Sequence, residues 1–541
     1  MNKEPWWRGA IIYQIYPRSM KDTNGDGIGD LPGIIEKLDY IADLGVDAIW
    51  ISPFFKSPMK DFGYDISDYR DIDPLFGNLS DFDALIDKAH SLNIRVIIDQ
   101  VLSHTSEQHD WFIQSRQDQT NPKADWYVWA DAQEDGTPPN NWLSIFGGGA
   151  WQWEPRRKQY YLHNFLVSQP DLNFHNPAVR EATLDNIEFW LKRGVDGFRL
   201  DAINFCFHDS ELKDNPAKSA EQRRGRGFSE DNPYAFQYHY YNNTQPENVP
   251  FIEDIRALLD KYPGAAALGE ISSEDSLATM AEYTLGDSRL HMGYSFELLT
   301  DDFSAGYIRQ NVEKLEQQMN QGWPSWAISN HDVKRVASRW GEKESNDSKA
   351  KILSALLCSL RGTICSYQGE ELGLCEAELD FEQLQDPYGK TFWPTYKGRD
   401  GCRTPMPWFK DQSNAGFSSG TPWLPIPKAH SEKAVDQQIE QPDSVLNSFK
   451  NFIAWRKTMP AIVTGDIEFV DLPEPIIGFY RSNANSRLVM FFNLSNKEVK
   501  VEYKMTSEVK PISEHGLRSG HLQEDQLVLP AYSCFIGSTK V

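Results

Sequence analysis

Basic residues are in short supply. The chain carries 54 Lys and Arg against 78 Asp and Glu, a formal charge of −24 at pH 7. Nucleic acids and anionic membrane surfaces call for basic patches, so this balance excludes both as natural partners and favours a neutral or cationic small substrate. Long hydrophobic runs are missing too: nothing approaches roughly eighteen uninterrupted apolar residues. The opening "MNKEPWWRGAIIYQIYP" has neither the basic start, the apolar run nor the small-residue cleavage site of a signal peptide. The expectation is a soluble, cytoplasmic protein. Cysteine is sparse and without pattern. Cys206, Cys358, Cys365, Cys375, Cys402 and Cys534 show no zinc-type or thioredoxin-type spacing and are expected to be reduced thiols with no metal or redox role. Internal repeats and low-complexity tracts are absent as well.

What is abundant is chain and aromatic surface. The 541 residues suffice for a large catalytic domain with attachments, and 17 Trp, 22 Tyr and 29 Phe serve core packing first and stacking on sugars second. Short β-rich apolar runs recur at 11–17, 48–52, 95–101, 197–201, 266–270, 293–298, 325–329 and 363–371, and most are followed by a helical pattern such as "LPGIIEKLDYIADLG" or "LSDFDALIDKAHSLN". Eight strand-then-helix units predict an α/β fold, a (β/α)8 TIM barrel, because parallel neighbours need crossovers and closure leaves no edge. The stretch from 105 to 178 is too long for a simple crossover and predicts an inserted domain after the third strand. A second long insertion spans about 203–262, and from 462 to 541 alternating strands predict a C-terminal antiparallel β-sandwich domain. The barrel itself is then built from 1–104 and 179–461.

"DGFRLDA" (196–202) sets Arg199 and Asp201 on one face of a predicted strand and Phe198 and Leu200 on the other. Barrel chemistry sits at the C-terminal ends of strands, where Asp99, Asp201, Glu270, His331 and Asp332 also fall. Each carboxylate alone reads as a helix cap or a solvated loop acid. Together they fit retaining glycoside hydrolysis, which needs a nucleophile and an acid/base roughly 5 Å apart. A guanidinium beside Asp201 would favour its ionised form.

The blocks "DQVLSH", "GFRLDAIN", "GE" and "ISNHD" resemble the four signature regions of the α-amylase superfamily of glycoside hydrolases, and "QPDLN" (169–173) resembles a fifth block of its oligo-1,6-glucosidase and α-glucosidase branch. The resemblance covers essentially the whole chain. It implies Asp201 as nucleophile, Glu270 as general acid/base and Asp332 as the carboxylate that grips the distorted sugar. It further implies His104 and His331 on sugar hydroxyls, Asp61 and Tyr64 of "KDFGYD" at the terminal sugar, Phe165 and Arg199 as further pocket residues, and Arg399 of "GRDGCRTPMPW" closing the far end against Asp61. A closed end implies exo action. "DTNGDGIGD" looks like the family's calcium or magnesium site, with Asp22, Asn24, Asp26, the Ile28 carbonyl and Asp30 as candidate ligands of a structural ion and no organic cofactor; an EF-hand reading fails because Gly33 stands where a bidentate Glu is needed.

Two departures stand out: Ser103 replaces the family's usual Asn before His104, and Ala202 follows neither the valine nor the threonine pattern after the nucleophile, which leaves the linkage open. "NFCFHDSELKDNP" resembles a subgroup that takes short substrates and transfers glucose to other alcohols. The implied activity is a retaining exo-α-glucosidase on maltose-like disaccharides and short α-glucosides, with sucrose or maltose isomerase as the alternative. Catalytically dead transporter-associated relatives carry a membrane anchor and broken carboxylates, whereas this chain has all three acids.

Overall fold

The computed structural model describes residues 4–223, 231–319, 321–341, 346–504 and 508–540. Part of the second insertion, 224–230, lies outside the described residues. Eight parallel strands form the central sheet: β1 (Ile11–Ile15), β2 (Ala48–Ile51), β3 (Arg95–Val101), β4 (Gly197–Asp201), β5 (Ala266–Ile271), β6 (Met292–Ser295), β7 (Ser325–Ala327) and β8 (Thr363–Tyr367). The order β6-β5-β4-β3-β2-β1-β8-β7 is that of a barrel opened between β6 and β7, and a parallel bridge from Gly293 to Pro324 closes it.

Strand alternation decides what faces where. Ile11, Tyr13, Ile98, Phe198 and Leu200 join the cluster shared with the surrounding helices, while Ile12, Trp50, Ile97, Leu268, Met292 and Tyr294 fill the inside. Arg199 and Asp201, at the alternate positions of β4, therefore point inward. Local signals start the helices where expected. Leu31–Asp43 is capped by Asp30, whose carboxylate accepts from Gly33 N, and Leu79–Ser91 by a capping box of Asn78 and Asp81.

Between β3 and β4 lies a small antiparallel sheet in the order Trp129–Ala130, Gln159–Leu162, Trp151–Glu154. After the barrel come a five-stranded and a three-stranded antiparallel sheet, the latter made of Val499–Glu502, Gln526–Leu529 and His521–Gln523. Ile476, Val489, Phe491 and Phe535 from the first pack with Leu527 and Leu529 from the second. Among the described residues no helix is long and apolar enough to cross a membrane.

Candidate active site

Register brings the inward polar residues together. Asp99 pairs with Arg199 across β3 and β4, Val101 with Asp201, and Glu270 with Tyr294 across β5 and β6. The Arg199 guanidinium, fully buried, becomes the hub. Its Nη1 donates to Asp201 at 2.6 Å and to Asp99 at 2.8 Å, and Nη2 forms an ion pair with Glu270. Asp99 also accepts from Trp50 Nε1 at 3.1 Å and the Tyr64 hydroxyl at 3.0 Å. One cation is thus shared by three carboxylates.

That ratio sets the proton affinities. Burial pushes Asp201 and Glu270 each up to about 7 and Asp99 to about 6, against the downward pull of Arg199. Arg199 pulls Asp201 toward its ionised form, but burial outweighs that pull and the neighbouring Asp99 and Asp332 add to the effect of burial. Asp99 and Asp201 titrate together, so a proton there belongs to the two carboxyls jointly.

The opposite wall is built differently. Arg399 Nη2 donates to Asp61 at 2.7 Å and to Asp386 at 2.8 Å, and its Nη1 reaches Asp332 at 3.2 Å. Arg403 adds a second cation, with Nη2 3.0 Å from Asp332. Partial burial alone would raise the affinity of Asp332 for protons, but His331 and the Arg399 and Arg403 cations hold it well below the ordinary carboxylate range. Asp386 is likewise depressed, with Arg399 outweighing burial, whereas burial leaves Asp61 raised.

The His331 ring stacks on Tyr64 at 5.2 Å with 7° between planes. Its Nδ1 lies 2.8 Å from Gln14 Nε2, whose amide can only donate, so Nε2 carries the ring proton, 3.3 Å from Asp332. Burial lowers the pKa of His331 well below the ordinary value, and that of His104 to about 4, so both are neutral donors at pH 7. Ser103 takes a definite place: its hydroxyl is 3.0 Å from His104 Nδ1, while His104 Nε2 donates to the Tyr64 carbonyl at 3.0 Å. Phe165 packs on His104 and Phe205.

These residues line one cavity of about 120 Å³, bounded by Asp61, Tyr64, His104, Phe165, Asp201, Glu270, Asp332 and Arg399. It opens past Ser272, Phe296 and Val333 into a groove of about 1240 Å³. Arg199 and His331 stand behind the wall. Ala202 lines the cavity in a left-handed conformation, φ 38°, and its N–H donates to Glu270 Oε2 at 3.1 Å. Residues that the motifs did not single out complete the site: Tyr294 between Arg199 and Glu270, Asp386 and Arg403 at the closed end, and Phe146 and Tyr388 in the wall. Strand alternation could have flagged Tyr294; the local signal at Asp386 is that of a helix cap before Pro387, with none for its ion pair to Arg399.

The "DTNGDGIGD" loop wraps around its own side chains. Asp22 accepts from the N–H groups of Asn24, Gly25 and Gly27 and from Ser418 Oγ; Asn24 and Asp26 each accept from the residue two ahead. Asp30 accepts from Thr23 and caps the following helix. Among the described residues no group of three or more His, Cys, Asp or Glu side chains is arranged so as to hold a metal ion. Asp22, Asn24, Asp26 and the Ile28 carbonyl fit an oxygen-only donor set, while Asp22 and Asp30 are the members most committed to hydrogen bonds of their own.

Residues 14–465 match the α-amylase catalytic domain family. A probable α-glucosidase of Rhizobium meliloti (strain 1021) is 55% identical over 533 residues, 98% of this chain and 96% of that protein. The crystal structure of an α-glucosyl transfer enzyme, XgtA, superimposes with a TM-score of 0.98 at 64% identity, covering 99% of this chain and 100% of that one. The crystal structure of an isomaltulose synthase from Erwinia rhapontici NX5 gives a TM-score of 0.89 at 32% identity over 100% of both chains.

Proposed function

The chain belongs to the α-amylase family and is a glycoside hydrolase, and on that premise we propose a retaining, exo-acting α-glucosidase that removes single glucosyl units from short α-glucosides and also transfers them to other hydroxyls. The observation that carries this reading is the shape and charge of the pocket. Its floor offers two carboxylates at one guanidinium, and its far end is shut by Arg399 between Asp61 and Asp332. A polymer has no exit through that wall.

In this reading Asp201 attacks C1 while Glu270 protonates the leaving oxygen; water or an alcohol then displaces Asp201 with Glu270 as base. Asp332, backed by the neutral His331 Nε2–H behind the wall, takes hydroxyls of the glucosyl ring, Tyr64 offers it a face, and Asp61 and Arg399 bind its far side. His104 and Phe165 shape the wall, and Arg199 supports both acids. The relatives named α-glucosidase and α-glucosyl transfer enzyme support it. The second reading, isomerisation of sucrose or maltose, is favoured by the likeness to isomaltulose synthase; it would require the leaving sugar to stay in the groove.

The test is a proton NMR time course on maltose, isomaltose, sucrose, trehalose and a long maltooligosaccharide. Initial α-glucose from a short sugar, with the long one cut slowly, is expected and names the linkage. A new disaccharide from sucrose or maltose with little free glucose would select the isomerase. The six cysteines, all free and five buried, support a reducing, cytoplasmic setting. For the loop at Asp22 we place a calcium or magnesium ion with a structural role; chelation should lower the melting temperature by about 2–4 °C and leave turnover at 25 °C intact. An unchanged melt in chelator would remove the ion from the account.

A further inference from the structure

Tyr294 carries no charge, yet its hydroxyl stands between the shared cation and the acid. It accepts from Arg199 Nε at 3.2 Å and Nη2 at 3.0 Å and lies 2.9 Å from Glu270 Oε1. With two guanidinium N–H groups directed at its oxygen, its single proton goes to the carboxylate. The ring is 1% exposed and sits at the strand position that pairs with Glu270, so neither partner drifts from the other. Burial pushes its own ionisation well above the ordinary phenol range, which keeps it a donor at any working pH.

We infer that Tyr294 is a positioning residue that aims the Glu270 carboxyl and sets its proton affinity, so that one group serves as acid in the first half of the reaction and as base in the second. This rests on the reading of Glu270 given above. In the first half, Glu270 gives its proton to the glycosidic oxygen as the C1–O bond breaks and the C1–Asp201 bond forms. In the second, an oxygen of water or alcohol bonds to C1, the Asp201 bond breaks, and Glu270 takes the proton. The first half needs the neutral form and the second the charged one.

The charged and titratable groups around Glu270 are Asp99 from β3, Arg199 and Asp201 from β4, Tyr294 from β6 and Asp332 after β7. The acids and burial favour the proton; Arg199, the Ala202 N–H and the Tyr294 hydroxyl oppose it. Removing Arg199 would unbalance three carboxylates at once, whereas Tyr294 can be silenced without changing the charge of the site.

The experiment is Tyr294→Phe, read by the pH dependence of kcat/KM on maltose and by pre-steady-state kinetics on an aryl α-glucoside. Losing the donor should move the alkaline limb upward by about one pH unit. Below neutrality the second half-reaction should slow about tenfold while the first is spared for the activated leaving group, so a burst grows. A difluorotyrosine in place of Tyr294 keeps the shape, strengthens the donor and should move the limb down; it carries the test alone if the Phe variant fails to fold. Equal slowing of both halves with no movement of either limb would overturn the assignment. Failure of the underlying reading looks different: Glu270→Gln would then retain turnover of maltose whatever Tyr294 does.

Discussion

The floor and the far wall of the pocket hold three carboxylates each, and they differ in cations. At the floor Asp99, Asp201 and Glu270 share Arg199; at the wall Asp61, Asp332 and Asp386 share Arg399 and Arg403. One added guanidinium, together with His331 beside Asp332, separates acids whose pKa rises to about 6 or 7 from Asp332 and Asp386, whose pKa falls. Asp61 is the exception at the wall, raised because burial outweighs Arg399. In the proposed mechanism the floor must hold and release a proton, and it is poor in cations; the wall would present fixed charge to a neutral ligand, and it is rich in them.

The contrast breaks most completely at the floor. Asp201→Asn should reduce turnover by about four orders of magnitude or more, as removal of a nucleophile does; retention of a tenth of the wild-type rate on maltose would sink its assignment. Glu270→Gln should cost about 10²–10⁴-fold on maltose and much less on an aryl glucoside, whose leaving group needs no proton. A smaller effect, in stability, is expected at the wall. Asp386→Asn leaves Arg399 short of a charge partner and should destabilise the fold by about 1–3 kcal/mol at pH 7. Because the pKa of Asp386 is depressed in the folded state, its contribution is present above the ordinary aspartate range and is lost as pH falls, so variant and wild type should converge in acid.

An effect of similar size runs the other way. With a pKa raised to about 7, Glu270 favours the fold when protonated and loses that contribution as pH rises through 7. Glu270→Gln, already neutral, should therefore unfold at a higher temperature than wild type at pH 8, by roughly 1–3 kcal/mol in stability, with the gap closing toward pH 5. Thermal melts of the Asn and Gln variants across pH thus test one comparison with opposite signs. If both were destabilised equally at pH 8, the division between floor and wall would be wrong.

Much of this architecture is written locally. The eight barrel strands are apolar runs followed by helical periodicity, and the alternation in "GFRLD" predicts that Arg199 and Asp201 face away from Phe198 and Leu200, as they do. Short-range rules suffice there, because period and capping are properties of neighbouring residues. Strand ends also place Asp201, Glu270 and Asp332 at one mouth once the strands are taken to be parallel. Asp386 is another matter: before Pro387 it reads as the cap of the helix Pro387–Phe392, which it is, and nothing around it announces an ion pair with Arg399, 13 residues on. Ser103 could be flagged as a departure, but its bond to His104 depends on the fold of the loop after β3.

The order of residues along the chain is enough to specify the barrel, the inward direction of the pocket carboxylates and the residue types at the pocket. How the charges are shared is settled in three dimensions alone. A proton affinity depends on burial and on the count of cations within a few ångströms, and those cations arrive from strands and loops far apart in the chain: Arg199 between Asp99 and Glu270, Arg399 beside Asp61, Tyr294 between an arginine and an acid.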